Sequence, residues 1–252
     1  MIVALIDSGL GLLPTAAHLR KLRPDLDLLL ATDPDGAPWG PKPARWVIDR
    51  VLGTVDACRD RGAEVIVLPC NTASVTALDH VRGHVGDDVP VIGTVPAIKP
   101  AAAECSSVAI WATAATTASR YQARLVETYA AGTSVASVAC HGLADAVDRG
   151  DLPAIGSAVA DAVSRTPHDV EGVVLGCTHY PLVADEIAAQ LPRGVRLFDS
   201  SSAVAAQTVR RADEVSPPGT GNGTVTVLAG GRVAELPAAA ARYDAGRVFT
   251  DR

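Results

Sequence analysis

The chain has 252 residues, 48% of them hydrophobic and 20% charged, so it can bury a sizeable core and is too apolar to be disordered. A formal charge of −6 without a dense Lys/Arg cluster argues against a general nucleic-acid binder. No apolar run reaches the ~18 residues of a membrane span. Met1–Asp7 lacks the basic start of a signal peptide, and five cysteines with no Cys-x-x-Cys pattern speak against both a zinc site and a disulfide framework. Reduced thiols and a cytoplasmic location are expected.

In chain order, Ile2–Ile6 is an apolar run of the kind buried on both faces of a parallel sheet. It ends in Asp7-Ser8-Gly9-Leu10-Gly11, a turn that leads to a helix reaching about Leu22; simple N-capping would also explain Asp7 and Ser8. Residues 26–31 read as a second strand, followed by a Pro- and Gly-dense loop over 32–43 and an amphipathic helix over 44–61. Val65–Leu68 is a strand that ends in Pro69-Cys70-Asn71-Thr72-Ala73-Ser74, with a helix over about 72–81.

Residues 89–93 form another short strand, and 94–100 read as a crossing between domains. Strands follow at 107–111 and 135–139, then a helix over 151–165. Val173–Leu175 is a strand that ends in Gly176-Cys177-Thr178-His179-Tyr180-Pro181. A helix over 182–190, a strand over 195–198, a Ser-rich capping cluster at 199–202, a loop without a role at 216–223, a strand over 225–228 and a short helix near 237–241 complete the chain. The strand–helix alternation predicts an α/β protein of two similar domains, each a mostly parallel sheet flanked by helices. Residues 1–95 with 208–252 would form the first domain and 96–207 the second.

Two strands that each end in a cysteine followed by polar residues are the strongest chemical signal, because open α/β sheets bind ligands at the carboxyl ends of their strands. Any single cysteine is more often a small core residue, and Cys58, Cys105 and Cys140 are read that way. Two thiols in matched polar settings suit acid–base work at a carbon.

With these residues laid out, the chain resembles the glutamate racemases, within the wider aspartate/glutamate racemase superfamily. Asp7-Ser8-Gly9-Leu10-Gly11, Asp33 with Pro38-Trp39-Gly40, Cys70-Asn71-Thr72-Ala73-Ser74, Ala112-Thr113 with Thr116, and Gly176 to Pro181 carry the resemblance. Trp39 stands where the family has Tyr, Leu12 where Gly is usual, and Asp148 where Glu is usual. The resemblance implies a racemase that works without pyridoxal phosphate or any other cofactor or metal, with its active site between the two domains. Cys70 would take the proton from the D-enantiomer and Cys177 from the L-enantiomer, with Asp7 and His179 as their proton partners. Substrate contacts would fall on Asp7, Ser8, Trp39, Gly40, Asn71, Thr72, Thr113, Thr116, Thr178 and His179.

The expected reaction interconverts L- and D-glutamate and supplies D-glutamate for peptidoglycan. The expected partner is a small molecule, glutamate or possibly aspartate, rather than nucleic acid or membrane, and a homodimer is a possible assembly. The alternatives are an aspartate racemase or a relative acting on another acidic substrate, a single-thiol decarboxylase, a cysteine hydrolase using Cys177 and His179, and a non-catalytic binding module. Against the hydrolase, residues two apart on a strand-to-turn segment are not expected to meet as a dyad.

Overall fold

The computed structural model describes residues 1–219 and 221–251; Thr220, in the loop read at 216–223, and Arg252 lie outside the described residues. The elements in order are β1 (Ile2–Ile6), α1 (Leu13–Leu22), β2 (Asp27–Thr32), α2 (Ala44–Arg59), β3 (Val65–Leu68), α3 (Asn71–Thr76), α4 (Leu78–Val85), β4 (Val91–Gly93) and α5 (Ile98–Glu104). Then come β5 (Ser107–Ala112), α6 (Ala114–Thr117), α7 (Arg120–Tyr129), β6 (Ser134–Ala139), α8 (Leu143–Arg149), α9 (Leu152–Ser164), β7 (Gly172–Leu175), α10 (Ala184–Gln190) and β8 (Arg196–Phe198). The chain closes with α11 (Ser201–Val215), β9 (Val225–Ala229), β10 (Arg232–Ala234) and α12 (Asp244–Thr250). The expected α/β class with two mostly parallel sheets is what the chain forms.

The chain divides into two compact units, Met1–Thr94 with Ser201–Arg252, and Val95–Ser200. It returns to the first unit at Ser201, where α11 starts and packs along α1. In the first unit the strand order is β10-β9-β2-β1-β3-β4, all parallel except the β9–β10 hairpin. β1 is central, and Val3 to Ile6 are fully buried. Val3, Leu5 and Ile6 each contribute about 1.5–3 kcal/mol of apolar burial. In the second unit the order is β6-β5-β7-β8, parallel throughout.

Several elements escape the sequence pattern. The helix expected over 72–81 is broken at Ala77, with φ −119°. Ser74 and Thr76 turn their hydroxyls back onto the Leu68 and Thr72 carbonyls, which competes with a continuous helix. The short helices α5, α8 and α12 and the exposed strand β10 lack a full apolar period, and α8 begins only after Gly142 at φ +68°.

One ionic knot ties α1 to α11. Arg23, 7% exposed, makes a two-pronged pair with Asp25 (Nε–Oδ1 and Nη2–Oδ2 both 2.8 Å) and a third bond to Asp213 on α11. Its guanidinium holds Asp25 well below the usual carboxylate range. Replacing Arg23 with Met strands these acceptors, so unfolding free energy measured in urea should fall by about 1–3 kcal/mol. Asp213→Asn should cost less, because Asp213 is half exposed.

Candidate active site

Parallel pairing fixes where the first unit's polar residues gather. Leu5 lies opposite Val67 and Ile6 opposite Ala31, so β1, β2 and β3 end along one edge. Asp7, Ser8, Asp33 and Cys70 therefore share that edge. Asp7 is fully buried and accepts hydrogen bonds from the Ser8 N–H (2.6 Å) and the Ser8 hydroxyl (3.3 Å). Cys70, 6% exposed, is the N-cap residue of α3, with an extended backbone (φ −145°, ψ 117°). It therefore stands at the end of α3 that carries the helix's partial positive charge. Asn71 is buried and Thr72 half-buried in the first turn of α3.

Trp39 is also buried here, and its indole N–H is committed: it donates to Asp33 Oδ2 at 2.8 Å. Gly40, half-buried, follows Trp39 in the turn.

In the second unit β5 and β7 end together, with Trp111 opposite Leu175. Gly176 allows this close approach; a Cβ there would lie 2.8 Å from the Trp111 carbonyl oxygen. Cys177 follows, half-buried, with its Sγ 3.7 Å from His179 Nδ1. The other ring nitrogen, His179 Nε2, lies 3.0 Å from Asp148 Oδ1 on α8. Cys177 and His179 thus do meet, contrary to the sequence expectation, because the chain turns sharply into the 3₁₀ segment Tyr180–Val183 just after them. Asp148 was not among the expected site residues. Its only signal was the resemblance, in which it stands where Glu is usual, and the helix that carries it was not legible.

No α-helix begins directly behind Cys177: the 3₁₀ segment Tyr180–Val183 follows it and α10 starts at Ala184. Burial works against protonation of His179, but the Asp148 carboxylate and Cys177 outweigh it and hold the imidazole well above its ordinary value. Thr113 and Thr116, at the end of β5, are hydrogen-bonded to each other (Oγ–Oγ 3.0 Å) in the cap of α6, and Thr178 is half-buried beside Cys177.

The remaining thiols contrast with these two. Burial pushes Cys58 and Cys140 up to about 12, and Cys105 is buried against Arg196 Nη2 at 3.1 Å. Among the described residues no cluster of three or more His, Cys, Asp or Glu is arranged for a metal, and no helix is long and apolar enough to cross a membrane.

Comparison with known proteins decides what these two edges belong to. The family model described as Asp/Glu/Hydantoin racemase matches residues 13–208. The chain belongs to this racemase family. It is 35% identical over 219 residues to the glutamate racemase of Photorhabdus laumondii, covering 82% of this chain and 74% of that one. With the glutamate racemase of Herpetosiphon aurantiacus it shares 33% identity over 238 residues, 91% of this chain and 92% of that one. Among solved structures it is similar to Escherichia coli glutamate racemase in complex with L-glutamate and the activator UDP-MurNAc-ala, with a TM-score of 0.80 and 29% identity, covering 93% and 99% of the two chains. Family membership makes the protein an isomerase.

The His179 assignment has a pH consequence. Its folded pKa lies above the unfolded value of about 6.5, so its contribution to stability is full below about pH 6.5 and is lost as pH rises through the folded value. Removing the Asp148 charge in Asp148→Asn leaves burial less opposed and should lower the pKa of His179 in an NMR titration. The stability gap between wild type and the variant should then narrow at alkaline pH. A His179 titration that does not move would remove Asp148 as its partner.

Proposed function

We propose that the protein interconverts L- and D-glutamate by proton transfer at Cα, using Cys70 and Cys177 on opposite faces of that carbon. The observation that carries this is the pair of thiols, each at a strand end with its own polar setting: the start of α3 for Cys70, and His179 with Asp148 for Cys177. The glutamate named for the similar Escherichia coli structure supports the choice of substrate.

Starting from L-glutamate, the Cys177 thiolate takes the α-proton and becomes a thiol. The electron pair left on Cα spreads into the carboxylate, where hydrogen-bond donors stabilise it as it forms. Cys70, as thiol, delivers its proton to the opposite face and is left as thiolate, which is the form that acts on D-glutamate. No redox partner and no electron-sink cofactor enters this balance. Asp7 serves as proton partner on the Cys70 side and His179 on the Cys177 side. Ser8, Gly40, Asn71, Thr72, Thr113, Thr116 and Thr178 are the candidates for holding the substrate's carboxylates and ammonium. The five free cysteines fit a reducing compartment, the cytoplasm, and D-glutamate for peptidoglycan is the product's proposed use.

One observation favours a second reading. Cys177, His179 and Asp148 stand in nucleophile–base–orienter order, as in a cysteine hydrolase. That reading assigns nothing to Cys70, and Cys70→Ala separates the two: hydrolysis would survive it and racemisation would not.

Cys70→Ala and Cys177→Ala should each lose nearly all racemisation in both directions, by chiral analysis of glutamate. In deuterium oxide, L-glutamate should yield D-glutamate already deuterated at Cα at low conversion, while the residual L-substrate gains deuterium slowly, because the Cys70 thiol has exchanged with solvent. Protium carried into product, or equal early deuteration of both enantiomers, would show one shared base instead.

A further inference from the structure

The loop that leaves the carboxyl end of β2 is held from outside itself. Asp33, its first buried residue, is 1% exposed and carries a carboxylate that must be met by donors. Arg50, one side of α2 further on, reaches it with two nitrogens: Nε donates to Oδ2 at 2.8 Å and Nη2 to Oδ1. The Trp39 indole N–H donates to the same Oδ2 at 2.8 Å. Although burial raises the cost of its charge, these donors hold Asp33 below the ordinary carboxylate range. Gly36 leaves the space this requires, since a Cβ there would overlap the Asp33 carboxylate. The Arg50 guanidinium also lies over the Trp46 ring, 5.6 Å from its centre, which steadies the fork from behind.

The same aspartate is tied to the reaction edge through its backbone. The Asp33 N–H donates to the Ser8 carbonyl at 3.3 Å, and the Ser8 N–H donates to Asp7 at 2.6 Å. Trp39 belongs to the same buried apolar cluster as Cys70. A loop rooted at the carboxyl end of a central strand is where an α/β sheet meets its ligand.

We propose that Arg50 is a positioning residue of the reaction: through Asp33 it locks the Trp39 ring and so fixes the Trp39–Gly40 backbone at the edge that carries Asp7, Ser8 and Cys70. This rests on the racemase reading above. Trp39 then acts on specificity by holding the backbone, with its only polar donor turned away to Asp33. A tyrosine ring in its place is smaller, and its hydroxyl sits elsewhere on the ring.

The test compares wild type with Arg50→Met, Arg50→Lys and Trp39→Phe, measuring kcat and KM for both enantiomers of glutamate and following the Trp39 indole N–H by NMR, assigned through its loss in Trp39→Phe. A misplaced binding loop costs on the order of 10- to 100-fold in kcat/KM. In Arg50→Met the loss should appear chiefly as a raised KM, because substrate and transition state lose the same backbone contacts. Arg50→Lys should recover part of it, and Trp39→Phe should shift KM in the same direction by less. The indole resonance should move in Arg50→Met. A lower melting temperature with wild-type KM in Arg50→Met and Trp39→Phe would make the contacts purely structural and overturn the proposal alone. An unmoved indole resonance would also overturn it, whatever the activity. Wild-type protein that leaves glutamate unracemised would overturn the underlying reading and the proposal together. Should Arg50→Met fail to fold, the Arg50→Lys and Trp39→Phe split decides.

Discussion

Parallel strand pairing makes every strand of a sheet end on the same edge, and the chemistry of this protein depends on that. β1 and β3 are wholly apolar and β2 is polar only at its ends, Asp27 and Thr32, so Asp7, Asp33 and Cys70 fall just beyond the strands. In the second unit the same pairing of β5 with β7 gathers Thr113 and Cys177. The reactive groups are thereby raised on buried, close-packed strands whose ends have little freedom to wander.

Buried and half-buried carboxylates impose the second layer of order, since a charge withdrawn from water needs donors. Asp7 takes them from Ser8, Asp33 from Arg50 and Trp39, and Asp148 stands against His179. Each solution does more than satisfy an oxygen. The first closes the turn after β1, the second pins a loop, and the third sets the charge on the imidazole beside Cys177. The five cysteines divide along the same line. Cys58 and Cys140, sunk in apolar surroundings, have their thiols pushed up to about 12 and stay protonated, whereas Cys70 opens α3 and Cys177 lies against His179.

Local sequence was enough to determine the α/β class, the strands β1 to β9 and the two cysteine-bearing strand ends, because a short β-branched run such as Val65–Leu68, bounded by turn residues, suits a strand buried on both faces, and polar residues do not continue it. It did not reveal α8, whose seven residues carry too short an apolar stripe, and so it left Asp148 without a place. It also misjudged Cys177 and His179, since a 3₁₀ turn that begins at Tyr180 leaves no periodic mark.

The partner of the Trp39 indole N–H was decided by tertiary structure alone. From its sequence position an indole in a Pro- and Gly-rich loop reads as a ligand contact. Whether its single N–H faces a ligand or a neighbour depends on Asp33 and on Arg50, 11 residues further along on another element, reaching back to the same carboxylate. Strand ends are local events and can be read from a few consecutive residues. The partner of a buried charge is chosen by packing among distant segments, and nothing in the neighbouring residues records that choice.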